Sequence, residues 1–141
     1  MSTPHRIVAP EGLAPAVGFS HGIVAAEGRT LHVAGQIAVD ADGAPVGGDF
    51  ATQFDASLGN VLTVVEAAGG APGHIVSMTV FTTDIDAYRA SLRDLGGIWR
   101  RHMGLHFPAM ALVGVAALVE PDALVEITAV AVIPDEGEWD Q

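Results

Sequence analysis

The chain has 141 residues, half of them apolar, which is enough to bury the core of one domain. Cysteine and lysine are both absent, which excludes disulfides, thiolate nucleophiles, cysteine-held metals and a lysine Schiff base. The formal charge of −11 would repel a phosphate backbone, no apolar run is long enough for a bilayer, and the N-terminus lacks the apolar middle of a signal peptide; neither nucleic acid nor membrane is expected as a partner, and a cytoplasmic location is.

Residues 1–17 hold Pro4, Pro10 and Pro15 and show no apolar period, which predicts an arm laid on the surface. Residues 19–26 and 30–36 read as strands, and Glu27, Gly28 and Arg29 between them predict a hairpin turn. Leu31 and Val33 share one face of the second strand, while His32, Ala34 and Gln36 share the other. Turn residues fill 40–48, after which Asp49 is placed to cap a helix. Phe50, Phe54, Leu58, Val61, Leu62 and Val65 recur at helical spacing. That helix is expected to lay its stripe across a sheet and to end at Gly69-Gly70 and Pro72. Residues 75–83 read as a further strand. Asp84 or Asp86 opens a second predicted helix, with Tyr88, Leu92, Leu95 and Trp99 as its buried stripe. Gly96-Gly97 weakens that helix or permits a close approach.

Residues 107–132 are the most informative stretch: two β-type apolar runs meet at a turn of Glu120, Pro121 and Asp122. A hairpin is expected, with its register left open. Glu126 stands inside the second run between Val125 and Ile127. A carboxylate among apolar neighbours is costly unless it has a partner or a task. Glu126 is therefore the candidate for acid–base work, the alternative being an ion pair with an arginine across a subunit interface. Met110 and Leu112, two apart, share a strand face as core or as pocket lining. His102 and His106 have the spacing of a helical metal pair, but Gly104 interrupts the helix and no third ligand is evident, so no metal site is assigned. His21, Arg100 and Arg101 read as surface or helix-end charges.

The element order is thus β-β-α-β-α-β-β, an α+β sandwich of one sheet and two helices in a single domain over residues 1–141, with an acidic tail at 134–141. Two helices cover one face of such a sheet. Its other face also carries apolar residues, so self-association is expected to cover it.

Several stretches carry a family resemblance: Val33-Ala34-Gly35-Gln36-Ile37; Leu58-Gly59-Asn60-Val61 with Val65-Glu66-Ala67-Ala68-Gly69; Thr79-Val80-Phe81-Thr82-Thr83-Asp84; Phe107-Pro108-Ala109; and Val125-Glu126-Ile127-Thr128-Ala129-Val130-Ala131-Val132. In this order they resemble the Rid family, also called YjgF, of enamine/imine deaminases. The resemblance implies a chorismate-mutase-like fold with one mixed sheet, and a homotrimer around a central barrel. It implies small-molecule pockets in the clefts between subunits and hydrolysis of an imine or enamine to a ketone and ammonia. It implies no metal and no organic cofactor.

Glu126 matches the family carboxylate that positions the attacking water. Other positions depart from the pattern. Met110 stands where the family has the arginine that grips a substrate carboxylate, a bidentate contact that a thioether cannot imitate. Leu112 replaces a frequent cysteine, Leu92 a frequent asparagine, and Phe19 a frequent tyrosine. Gln36 sits in a family motif and Phe81 is expected in the core, at the pocket edge. The expected site is therefore Glu126 as catalyst with Phe19, Gln36, Phe81, Leu92, Met110 and Leu112 binding the substrate. The expected function is hydrolysis of an imine, enamine or related metabolite in an atypical apolar pocket. The alternative is a non-catalytic ligand-binding or regulatory trimer on the same scaffold. A ribonuclease fits the acidic balance least well.

Overall fold

The computed structural model describes residues 3–135. Helix α1 (Phe50–Ala67) forms where local signals agree. The Asp49 carboxylate accepts the Thr52 N–H at 2.9 Å and closes its first turn. The stripe of Phe50, Phe54, Leu58, Val61, Leu62 and Val65 is buried throughout. At the other end Gly69 takes φ 86, Gly70 N–H bonds Val65 O, and Gly69 N–H bonds Glu66 O. That pairing satisfies the last carbonyls, and its left-handed residue is cheapest as glycine.

Four strands form the main sheet: β3 (Gly28–Gln36), β4 (Ile75–Thr82), β5 (Ala109–Gly114) and β6 (Val125–Pro134), in the order β3-β6-β4-β5. β4 and β5 run parallel and the other neighbours antiparallel, so the sheet is mixed. A separate ribbon pairs β1 (Arg6–Val8) with β2 (Gly22–Val24).

Both predicted hairpins are corrected. β2 pairs with β1 inside the expected surface arm, whereas β3 pairs along β6. The final two strands are not neighbours, because β4 lies between them. Burial explains the arrangement: β6 alternates buried residues from Val125 and is buried continuously from Ala131 to Pro134, so it takes a partner on each edge. β5 has no buried residue and tolerates the edge.

The second predicted helix is broken at Ser91 into α2 (Ile85–Ala90) and α3 (Leu92–Met103). Asp84, rather than Asp86, caps α2 by accepting Ala87 N–H at 2.9 Å. Ser91 ends it, its hydroxyl donating to Ala87 O at 2.8 Å. The break leaves Tyr88 in α2 and the rest of the expected stripe in α3. Of the expected stripe Leu95 and Trp99 are buried and Tyr88 half-buried, but Leu92 is 55% exposed.

Helices and sheet share one core, in which Val33, Met78, Val80, Val125, Ile127 and Ala129 meet α1 and α3. The other sheet face carries Phe81, Val113, Val130, Thr79 and Thr128. Of the tail expected at 134–141, Pro134 ends β6, and residues 136–141 lie outside the described residues.

Candidate functional site

In the parallel β4–β5 register Met110 lies opposite Met78 and Leu112 opposite Val80. Directly opposed residues share a face, so all four turn toward the helices. There Met110 and Leu112 line a cavity of about 710 Å³. Leu92, Leu95 and Gly96 of α3 contribute one wall, and Trp99 stacks on Phe107 with ring centroids 5.7 Å apart and an interplanar angle of 5°. Val17, Gly18 and Phe19 close another side. Ser20 anchors that segment: its N–H bonds Pro108 O at 3.0 Å and its hydroxyl donates to Phe107 O. Phe19 meets the His21 ring edge-on at 5.2 Å, and His21 Nε2 lies 2.7 Å from Ala14 O, so His21 braces the segment.

Among the described residues the lining contains no charged side chain. Its polar side-chain groups are the Tyr88 hydroxyl and the Trp99 indole N–H, and the indole already donates to His106 O at 3.1 Å.

Glu126 lies elsewhere. It opposes Phe81 in the β4–β6 register, and Phe81 opposes Val113, so these residues occupy the sheet face away from the helices. Its side chain is half-buried and makes no hydrogen bond or ion pair among the described residues. It runs over Gly35, in the irregular pairing between Val33 and Gln36. A Cβ on Gly35 would come within 2.8 Å of Glu126 Cδ and closer still to Oε2, so the close approach requires glycine there. Gln36 ends β3 opposite Ile127, its amide donating to Ala34 O at 3.2 Å.

The sequence-derived candidates therefore form two groups in one chain. Phe19, Leu92, Met110 and Leu112 meet at the cavity. Glu126 and Phe81 lie on the opposite sheet face, with Gln36 beside the Gly35 bulge at the end of β3. Sequence reasoning missed Val17, Leu95, Gly96 and Phe107 as cavity residues; the mid-helix glycine pair was the signal that pointed to one of them.

The histidine pair diverges. His102 Nε2 reaches Asp55 Oδ1 at 2.6 Å, while His106 Nε2 donates to Ile75 O at 2.7 Å. Arg101 also reaches Asp55, at 2.7 Å, so α1 and α3 are clamped together. Burial works to raise the Asp55 carboxyl, but the His102 hydrogen bond and the Arg101 charge outweigh it and hold it below the ordinary range. Burial pushes His106 down, with His5 nearby adding to that and the bond to Ile75 O opposing it. Among the described residues no His/Asp/Glu group is placed to hold a metal, and no helix is long and apolar enough to cross a membrane.

Comparison with known proteins adds to this geometry. Residues 9–133 match the family described as Endoribonuclease L-PSP. The chain is 34% identical over 128 residues to the 2-iminobutanoate/2-iminopropanoate deaminase of Escherichia coli K12, covering 90% of this chain and 97% of that protein. It resembles the crystal structure of YyfB from Yersinia pestis, described as a Rid-family protein of unknown function, with TM-score 0.83 and 34% identity over 92% of this chain and 98% of that one. It also resembles E. coli TdcF, solved with bound serine, with TM-score 0.67 and 30% identity over 92% and 99% of the two chains.

Proposed function

Because the chain belongs to the Endoribonuclease L-PSP family, which includes the Rid/YjgF proteins, we propose that it is a Rid-type hydrolase of an imine, enamine or related small metabolite. The carrying observation is Glu126 seated over Gly35, a carboxylate for which the neighbouring backbone has been cleared of side chains. In the proposed reaction water adds to the C=N carbon. Glu126 relays its proton to the nitrogen, and the resulting carbinolamine expels ammonia to leave a carbonyl. No metal or organic cofactor is needed for these steps. The protein acts in the cytoplasm as a homotrimer.

A trimer reconciles the two groups of residues. The uncovered sheet face, with Phe81, Val113 and Val130, packs around the three-fold axis. Each cavity then meets Glu126 of the partner subunit at the seam. The separation of Glu126 from Met110 within one chain supports a site shared between subunits.

The test is complementation. Glu126→Gln and a cavity-filling Met110→Trp are each expected to abolish imine hydrolysis alone. Denatured together and refolded as mixed trimers, they recover roughly a quarter of the sites, as random mixing in a closed ring requires. No recovery, with trimers shown by light scattering, would exclude a shared site.

The non-catalytic reading has one observation in its favour, a cavity that the described residues of one chain line without any charged group to orient a substrate. Imine turnover regained by the refolded mixture, at about the quarter that random mixing allows, removes it. Ribonuclease activity is disfavoured by the charge of −11.

A further inference from the structure

We propose that Gly96 is the aperture of the cavity and that the ligand it admits is uncharged and largely apolar. This rests on reading the cavity as the ligand site and adds the ligand's chemical class. Glycine inside a helix costs stability, and α3 has two in succession. Tight packing is the usual reason for tolerating one, yet a Cβ built on Gly96 meets nothing within 4 Å. Its position supplies a different reason. Leu92, Gly96 and Trp99 follow one another on a single helical face, and all three line the cavity. Gly96 is thus a missing side chain in the middle of that wall. Gly97 lies against a separate groove beside Asp55 and Arg101.

Chemistry limits what enters. Among the described residues of one chain neither acid nor base lines the cavity, Met110 and Leu112 lie on its sheet side, and the Tyr88 hydroxyl is its uncommitted polar side-chain group. An anion buried there would lose its hydration without gaining a counter-charge. The net charge of −11 opposes its approach as well. A neutral molecule with an apolar body and one hydrogen-bonding group fits this lining, and the stacked Trp99–Phe107 pair suits a flat ring.

Two dyes that share a ring system test this: neutral N-phenyl-1-naphthylamine and anionic 8-anilinonaphthalene-1-sulfonate. Each is titrated into the full chain and followed by its own fluorescence. The neutral dye is expected to bind at least about tenfold more tightly, because the sulfonate finds no partner. Gly96→Leu is expected to weaken the neutral dye by about tenfold or more by filling the aperture, while Gly97→Leu, on the other groove, leaves affinity within about threefold. Leucine is the better helix former, so circular dichroism should show an intact fold. Gly96→Gln provides the same occlusion if Gly96→Leu does not fold. Equal affinities for the two dyes, or unchanged binding in the folded aperture variants, overturn the proposal. Dye selectivity without imine hydrolysis supports the ligand class and removes the enzyme reading. Imine hydrolysis without dye selectivity does the reverse.

Discussion

Replacing Gly35 by alanine moves the Glu126 carboxylate while leaving the core alone. The new methyl would stand 2.8 Å from Glu126 Cδ and nearer to Oε2. Carbon atoms settle about 3.5–4.0 Å apart, so the carboxyl group must retreat by about 1 Å. The obstacle is the free end of a flexible side chain, so the strain is about 1 kcal/mol of rotamer energy. For a chain of 141 residues that lowers Tm by no more than about 5 °C. The catalytic consequence is larger, because a misplacement of about 1 Å costs about a hundredfold in rate. The assay is ammonia release from an imine generated in situ, with thermal melting in parallel. Gly35→Ala is expected to lose about a hundredfold in kcat, within the range of a lost general acid–base group. The Gly35→Ala/Glu126→Gln double variant should be no slower than Glu126→Gln, since both changes remove one function. Losses that multiply in the double variant would show that Gly35 acts on something other than this carboxylate. Undiminished turnover in Gly35→Ala would separate Glu126 from the chemistry.

Asp55→Asn should loosen the clamp between α1 and α3. The pairs are partly exposed, so the loss is about 1 kcal/mol or less and shrinks in high salt, which urea unfolding at low and high ionic strength measures. Asp55 is held low in the fold, so its stabilisation is present above the unfolded value of about 3.9 and lost as pH falls through the lowered folded value. Asp55→Asn should flatten that acid limb; an unchanged limb would assign it to other carboxylates. His106, pushed down by burial, gives a second window. The unfolded chain takes up this proton near about 6.5 and the folded chain only at lower pH. Stability should be complete above that value and decline as pH falls below it. A urea midpoint that stays level from neutrality downward, or declines equally in His106→Asn, would refute this account.

The cap at Asp49, the stripe from Phe50 to Val65 and the glycine exit at Gly69 were legible because each rests on contacts within a turn or two of chain. The family motifs were legible for a different reason, being short patterns that survive wherever they are placed. Glu126 was also conspicuous in the bare sequence, as a charge inside an apolar strand. Strand partners were not legible: β4 separates β5 from β6 through a pairing that no turn signal records. Leu92 keeps phase with Leu95 and Trp99 in α3 but stands in its first turn where that face opens onto the cavity, and a period count cannot tell a face that meets a cavity from one that meets the core.

Sequence alone therefore determined which residues alternate or recur along a segment, and where α1 starts and stops, because those are properties of neighbouring bonds. Which face Glu126 and Met110 occupy was decided only by the tertiary structure. Side chains alternate at every step along a strand, so the sheet's long-range hydrogen-bond register assigns one residue to the cavity and the other to the far side. The cavity itself has the same origin, since Val17 and Phe107 meet there only after the chain between them has folded.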